Sequence, residues 1–170
     1  MCIRDSPYTG YALESDKDSV TVAEISSFQL ETMVTFKPHV TAILNITPDH
    51  LDRHKTLENY IAIKESITKN QDENDFCVLN YNDPVLREFG KTPRCKVIFF
   101  SSSEELESGV FLRGDTMIIK ENGVETPVCT TKDTSLVGMH NYENIMAAIA
   151  MTHAMGVPLD TIRQGIKEFT

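Results

Sequence analysis

Short apolar runs alternate with amphipathic segments along the first hundred residues of the chain. The runs are rich in β-branched and aromatic residues, which favours strands, and the segments between them repeat apolar positions with a helical period. Strands are predicted at 20–25, 40–46, 76–80 and 96–100, and helices from Ser26-Ser27 to about Phe36, from Thr56 to about Asn70, and from Asp83-Pro84 onward. The order β-α-β-α-β-α-β predicts the α/β class, with a mostly parallel, Rossmann-like sheet and flanking helices.

The pattern changes after residue 109. Three β-rich runs at 110–113, 117–120 and 124–128 are separated by Gly-Asp and Asn-Gly pairs, which are hairpin signals. A small antiparallel β meander is therefore predicted. Two helices should follow it, at about 141–155 and 158–169, with Gly156 as the break between them.

The chain has 170 residues and a formal net charge of −9, which suits one globular domain with its own core. This charge argues against nucleic acid or an anionic membrane as a partner. No apolar run approaches the ~18 residues of a membrane span, and the start lacks the apolar core of a signal peptide. Residues 1–6 fit poorly with the rest of the chain and are interpreted as a non-native leader. Four scattered cysteines predict buried thiols in a reducing cytoplasm: Cys2, Cys77, Cys95 and Cys129.

The segment 45–54 is the most informative part of the chain. It follows an apolar run, so it places an imidazole and several carboxylates at the C-terminal end of a strand, where ligands bind in open α/β sheets. Thr47 and Pro48 predict the N-cap and first residue of a helical turn, which puts Asp49 where the helix dipole favours an acid. His50 has no such structural reason and is the candidate ligand. The other polar residues are interpreted as a solvated charged face: Asp52, Arg53 and His54.

Two flanking segments each carry one polar residue among apolar neighbours, Glu24 and Lys64. Glu24 is either a ligand or a solvated residue at the exposed end of its strand. Lys64 lies on the apolar face of its helix, either as a snorkelling lysine or with its head at a charged site. Because an ammonium repels a divalent cation, ligation by Lys64 would require conversion to an anion, as carbamylation would achieve. The three segments together predict a metal-assisted phosphate site.

Two further motifs bear on ligand binding. Asn141 and Asn144 lie three residues apart on one face of a predicted helix, where capping explains one amide and the other could contact a ligand. Gly-Lys-Thr at 90–92 resembles the end of a P-loop, but Val85 stands where the motif needs glycine, and a helix precedes it where a strand is required. We therefore reject a P-loop at this position.

The chain resembles the Mur ligases in four segments, in the family's order and spacing: 23–31, 44–54, 60–64 and 138–144. The Ser-Ser-Phe-Gln-Leu-Glu form of the first segment is characteristic of the members that add D-glutamate. The resemblance runs from about Pro7 to Thr170 and implies most of the family's central ATPase domain.

The resemblance implies an ATP-dependent ligase of peptidoglycan precursor synthesis in the bacterial cytoplasm. The γ-phosphoryl group of ATP would pass to UDP-N-acetylmuramoyl-L-alanine, and D-glutamate would attack the acyl phosphate. Such enzymes are expected to be monomers. The implied ligands of two Mg²⁺ ions are Glu24, His50 and a carbamylated Lys64, of which His50 and Lys64 are the catalytic residues. The implied nucleotide contacts are Asn141 and Asn144, and the implied contacts to the UDP-muramoyl substrate are Ser26 and Gln29.

The chain departs from the family in what it lacks. We find no Gly-Lys-Thr/Ser P-loop upstream of the first matched segment, no N-terminal UDP-binding domain and no C-terminal amino-acid domain. A partial central domain, residues 7–170, is therefore expected to be inactive by itself. Three alternatives remain open: a sister ligase that adds another amino acid or adds glutamate to folate, a metallohydrolase that uses Asp49, His50, Asp52 and His54, and a non-catalytic nucleotide-binding module.

Overall fold

Six strands form one sheet at the centre of the computed structural model, which describes residue 10 and residues 14–169. The strands are β1 Val40–Ile43, β2 Phe76–Asn80, β3 Lys96–Ser101, β4 Gly109–Arg113, β5 Thr116–Glu121 and β6 Val124–Thr130. Strands β1 to β4 run parallel, and β5 and β6 are added antiparallel. The predicted parallel sheet and antiparallel meander are confirmed. The parallel pairing of Phe100 with Val110 joins them into a single sheet.

The helices surround this sheet and begin largely where capping residues predict. They are α1 Ser27–Glu31, α2 Leu51–His54, α3 Leu57–Glu65, α4 Pro84–Phe89, α5 Met139–Ala154 and α6 Leu159–Glu168. The Thr56 side chain accepts from the Asn59 N–H at the start of α3, and Asp83 caps α4 with Pro84 in the first turn. A 3₁₀ turn, Ser66–Thr68, extends α3.

Side chains alternate across the sheet, and both faces are buried. On β2, Val78 packs on the face covered by Met146 and Ile149 of α5. Leu79, the next residue, packs on the opposite face against Leu86 of α4. Since β1 to β4 are parallel, the loops that follow β1, β2 and β3 emerge from one edge of the sheet.

Two predicted elements differ in the structure. The run 20–25 forms no strand, and the side chains of Val20 and Val22 are 68% and 75% exposed. A strand needs a neighbour for its backbone groups, and none pairs with this run among the described residues. Helix α1 ends at Glu31 and does not reach Phe36, because the following residues include β-branched side chains that favour a helix less.

The prediction of buried thiols is confirmed for Cys77, Cys95 and Cys129, which are free and buried. Burial raises the pKa of Cys129 to about 11, so it stays protonated at neutral pH. Cys2 and the predicted leader 1–6 lie outside the described residues. Within residues 14–169, no helix combines the length and apolar character that crossing a membrane requires.

Candidate active site

The loop after β1 turns sharply at His50, which has a left-handed backbone with φ of 53°. A right-handed helix does not pass through such a residue, so α2 starts at Leu51 and the prediction of Thr47-Pro48 as N-cap and first helical residue is wrong. Asp49 is therefore not a helical residue. Its Oδ1 accepts from the His50 backbone N–H at 2.7 Å, and its Oδ2 lies 3.5 Å from His50 Nε2. The acid supports the turn, and the imidazole remains half exposed.

Lys64 reaches this same loop from α3. Its Nζ donates to the Asn45 carbonyl oxygen at 3.1 Å and lies 5.2 Å from the centre of the Tyr60 ring. The stem is half-buried and the head turns toward the loop after β1. The structure therefore brings Lys64 to the segment that carries His50, as the functional interpretation of this lysine requires.

Ser26 and Gln29 form a capping box at the start of α1. The Ser26 Oγ accepts from the Gln29 N–H, and Gln29 Oε1 accepts from the Ser26 N–H at 2.8 Å. This reciprocal pair satisfies two otherwise orphaned donors and is a sufficient structural reason for both residues. Glu24 lies just before the box, outside any helix or strand, and is exposed. The substrate role of Ser26 and Gln29 and the metal role of Glu24 stay predictions.

His54 is buried, and the interpretation of this residue as part of a solvated face is wrong. It is 4% exposed, and its Nε2 lies 3.0 Å from Ser27 Oγ. Its Nδ1 lies 3.2 Å from Glu31 Oε1, within ion-pair distance but without the geometry of a hydrogen bond. The hydrogen bonds from Arg53 hold the pKa of Glu31 below its usual range, so the acid is ionised.

The arrangement gives no support to the metallohydrolase alternative. The His54 ring is buried against Ser27, and within the described part of the chain no three carboxylate, imidazole or thiol groups gather as a metal site. A hydrolytic zinc or iron site needs at least three such protein ligands.

Asn141 and Asn144 lie near the start of α5, which begins at Met139 and not at Asn141. The residue at its N-cap is Gly138, with φ of 106°, so neither amide is the N-cap. The Asn141 Nδ2 donates back to the Val137 carbonyl at 2.8 Å, whereas Asn144 is exposed. Their proposed contact with a nucleotide is not tested by this arrangement and stays a prediction.

Between them, Glu143 is the centre of a polar cluster that the sequence interpretation missed. Its Oε1 accepts from Ser102 Oγ at 2.5 Å and from Asn82 Nδ2 at 3.0 Å, and its Oε2 lies 3.5 Å from Asn80 Nδ2. The partners stand at the C-terminal ends of β2 and β3. Polar residues directly after β2 and β3 are the sequence signal that could have identified these partners. The same principle, that ligand sites lie at the C-terminal ends of parallel strands, drew attention to the loop after β1.

The Gly-Lys-Thr run at 90–92 follows the end of α4, and the Thr92 Oγ1 donates to the Phe89 carbonyl. Its rejection as a P-loop is confirmed, because no helix begins there. A groove of about 520 Å³ lies between α1, α2 and α3. His54, Arg53 and Lys69 line it, but none of the residues assigned to the magnesium, nucleotide or UDP-substrate site does.

Comparison with known proteins gives a family match. The Mur ligase middle domain matches residues 6–152. The chain is 50% identical over 163 residues to UDP-N-acetylmuramoylalanine--D-glutamate ligase of Lachnoclostridium phytofermentans. This match covers 96% of the chain and 36% of that relative, so the chain spans about a third of its length.

Solved structures share the fold. MurF from Acinetobacter baumannii superposes with a TM-score of 0.60 at 21% identity, covering 78% of this chain and 29% of that one. MurF ligase from Thermotoga maritima, solved in complex with ADP, gives a TM-score of 0.53 at 20% identity, covering 78% and 31%. The likeness confirms the predicted α/β architecture.

Proposed function

This chain belongs to the Mur ligase middle domain family, and we propose that it is the central part of an ATP-dependent ligase that joins D-glutamate to UDP-N-acetylmuramoyl-L-alanine. The observation that carries the proposal is the 50% identity, over nearly the whole chain, to a relative named for that reaction. The proposed enzyme is a monomer in the bacterial cytoplasm. Because this chain spans 36% of that relative, it is expected to show no turnover by itself.

Catalysis of the proposed reaction depends mainly on how the reactants are positioned. The γ-phosphoryl group of ATP is transferred to the alanyl carboxylate, and the amine of D-glutamate then attacks the acyl phosphate carbonyl and expels phosphate. Both steps depend on aligned reactants and on neutralised phosphate charge. Two bound Mg²⁺ ions would supply that neutralisation. A structure of the same fold, MurF ligase from Thermotoga maritima, was solved with ADP, which supports a nucleotide as ligand. Asn141 and Asn144 would hold that nucleotide, and Ser26 and Gln29 would contact the UDP substrate.

The donor chemistry of this site fits magnesium if Lys64 is carbamylated. Glu24 offers a carboxylate and His50 an imidazole, and within the described residues no three carboxylate, imidazole or thiol groups gather as a metal site. The Lys64 head already lies at the loop that carries His50. A carbamate on Nζ would turn this cation into an oxygen ligand, the type that Mg²⁺ prefers.

The test is a graft that replaces the matched segment of the Lachnoclostridium phytofermentans ligase with residues 7–170 of this chain. We expect phosphate release that depends on ATP, UDP-N-acetylmuramoyl-L-alanine and D-glutamate together, with the amide product seen by mass spectrometry. A folded graft that prefers another amino acid or folate, or that is inactive, would contradict the proposal. Turnover by the 170-residue chain alone would contradict its expected inactivity.

Lysine variants of the graft test the metal site. Lys64→Ala should lower kcat by about 10²-fold or more, the order seen when one charge-stabilising group is removed. Lys96→Ala is the matched control, since Lys96 also lies over an aromatic ring, at 5.1 Å from Phe76, but at the opposite end of the sheet. After exchange with ¹³C-bicarbonate, a carbamate carbon signal should be present in the parent graft and absent in Lys64→Ala. Equal activity of the two lysine variants would remove Lys64 from the site.

A further inference from the structure

The buried imidazole of His54 contacts the helices that carry the candidate site residues. From α1, Ser27 Oγ lies 3.0 Å from its Nε2 and Glu31 Oε1 lies 3.2 Å from its Nδ1. From α3, Asn59 Nδ2 donates to the His54 carbonyl at 3.1 Å. His54 itself is the last residue of α2. One residue therefore ties three short helices together.

Aromatic contacts extend from His54 to the site residues. The Phe28 ring stacks on His54 with centroids 5.5 Å apart, and the same Phe28 ring lies 4.8 Å from His50. The Tyr60 ring lies 5.4 Å from His54, and Lys64 Nζ lies over Tyr60. His50 and Lys64 are thus each one aromatic ring away from His54.

The order Ser27, His54 and Glu31 matches that of nucleophile, base and acid in hydrolases. Accessibility argues against that chemistry. Ser27 is 7% exposed and the His54 side chain is fully buried, so a substrate carbonyl has no approach to the hydroxyl. A buried polar network of this kind instead fixes the elements that supply its members.

We propose that His54 is a positioning residue that sets where His50, Lys64 and the Ser26–Gln29 box stand relative to one another. This role rests on the proposed function of those residues. The His54 side chain touches α1 through polar contacts and α3 through a ring, so removing it loosens the packing of both helices on α2. The Arg53–Glu31 ion pair and the bond from Asn59 to the backbone carbonyl of residue 54 remain and keep the three helices together. Outer contacts of this kind orient ligands, and their loss typically weakens metal binding by about 10–100-fold.

The first test uses the 170-residue chain and does not depend on ligase activity. The ring proton shifts of His50 are measured by NMR in the parent, His54→Ala and His54→Phe. We expect a clear shift change in His54→Ala and a smaller one in His54→Phe, which keeps the ring contacts. The matched control is His153→Ala. His153 lies in the last turn of α5, and its Nε2 lies 3.3 Å from Glu121 of β5. Unchanged His50 shifts in a folded His54→Ala variant would overturn the proposal.

The second test uses the grafted ligase. His54→Ala should lower kcat by about 10²-fold, as small misplacements of reacting groups do. It should also weaken Mn²⁺ binding, measured by electron paramagnetic resonance, by about tenfold or more. A role in stability alone would lower the melting temperature but leave Mn²⁺ affinity and kcat per folded molecule unchanged, which would overturn the proposal.

A milder variant covers the case in which His54→Ala does not fold. Ser27→Ala removes one bond to His54 and keeps every ring contact. It should weaken Mn²⁺ binding in the same direction by a smaller factor, and an unchanged affinity would count against positioning by His54. An inactive parent graft would refute the proposed function, whereas the His50 shifts in the isolated chain would still decide whether His54 positions that ring.

Discussion

Replacing Glu143 by alanine should destabilise the chain measurably, because this carboxylate joins α5 to the C-terminal ends of β2 and β3. It accepts from Ser102 at 2.5 Å and from Asn82 at 3.0 Å. The network reaches a third strand through Asn80, whose Nδ2 also donates to the Leu44 carbonyl after β1 at 3.1 Å. Loss of the carboxylate removes an acceptor that these side chains share.

The magnitude follows from which donors are left unpaired. Hydrogen bonds to a charged group contribute about 1.5–3 kcal/mol each, and the bond from Ser102, at 2.5 Å, is short. Asn82 keeps a second acceptor in Ser102 at 2.7 Å, and Asn80 keeps Leu44. Glu143 is half-buried, so water can replace part of the loss. We therefore expect Glu143→Ala to cost about 2–3 kcal/mol and to lower Tm by roughly 4–12 °C for a chain of this size.

The assay is urea unfolding followed by circular dichroism, with hydrogen exchange of the α5 amides as a local readout. Glu107→Ala is the control, since Glu107 is an exposed acid in the loop between β3 and β4 and should change stability by no more than about 0.5 kcal/mol. The stability of Glu143→Gln should fall between those of the two alanine variants. Its amide oxygen can still accept a hydrogen bond, but its NH2 group would face side chains that donate to the carboxylate. If Glu143→Ala and Glu107→Ala unfold at the same urea concentration, the cluster contributes no stability and the reasoning fails.

Further predictions concern the backbone and one ion pair. Gly109→Ala should cost on the order of 3 kcal/mol or more, because φ is 129° and a Cβ would meet the Phe99 carbonyl oxygen at 2.2 Å. Gly165→Ala, in open space on α6, should instead gain about 0.5–1 kcal/mol in the same urea assay. Lys37 lowers the pKa of Asp72 to about 2, so this stabilisation is present above pH ~4 and is lost as pH falls toward 2. Lys37→Met should raise the Asp72 pKa toward 3.8 in a carboxyl NMR titration and reduce the stability lost on acidification; an unchanged pKa would contradict the assignment.

The strands of the sheet could be predicted from the sequence because each is marked by a short apolar run of neighbouring residues. The run around Val78 and Leu79 is apolar on both faces, which is what a parallel strand covered by helices requires. The run 20–25 is also rich in β-branched residues but has no neighbouring strand among the described residues, so it forms no strand and leaves Val20 and Val22 exposed. Composition identifies a chain segment that could be a strand, whereas pairing depends on residues distant in sequence.

The site was only partly predictable for a related reason. The position of Lys64 on the apolar face of its helix left two interpretations open, a snorkelling lysine and a head at a charged site. In the structure its head donates to the Asn45 carbonyl in the loop that carries His50. The helix start at Thr47-Pro48 was wrong because cap residues favour a start without requiring one, and the left-handed His50 moves it to Leu51. Glu143 was missed because its partners lie about 40 to 60 residues away along the chain.

The inversion of polarity on α2 is the clearest case in which local pattern and structure disagree. Leu51 is 39% exposed while His54, surrounded in sequence by charges, is 4% exposed. The burial is tolerated because α1 presents Ser27, which lies at hydrogen-bond distance from Nε2, and Glu31, which lies within ion-pair distance of Nδ1. Asp52 and Arg53 remain exposed on the same turn, so the charged sequence around His54 describes its neighbours and not its own environment. A histidine in this setting can be assigned to a buried network only once its partners are known, and that is why a residue of α2 that contacts both α1 and α3 looked incidental in the sequence.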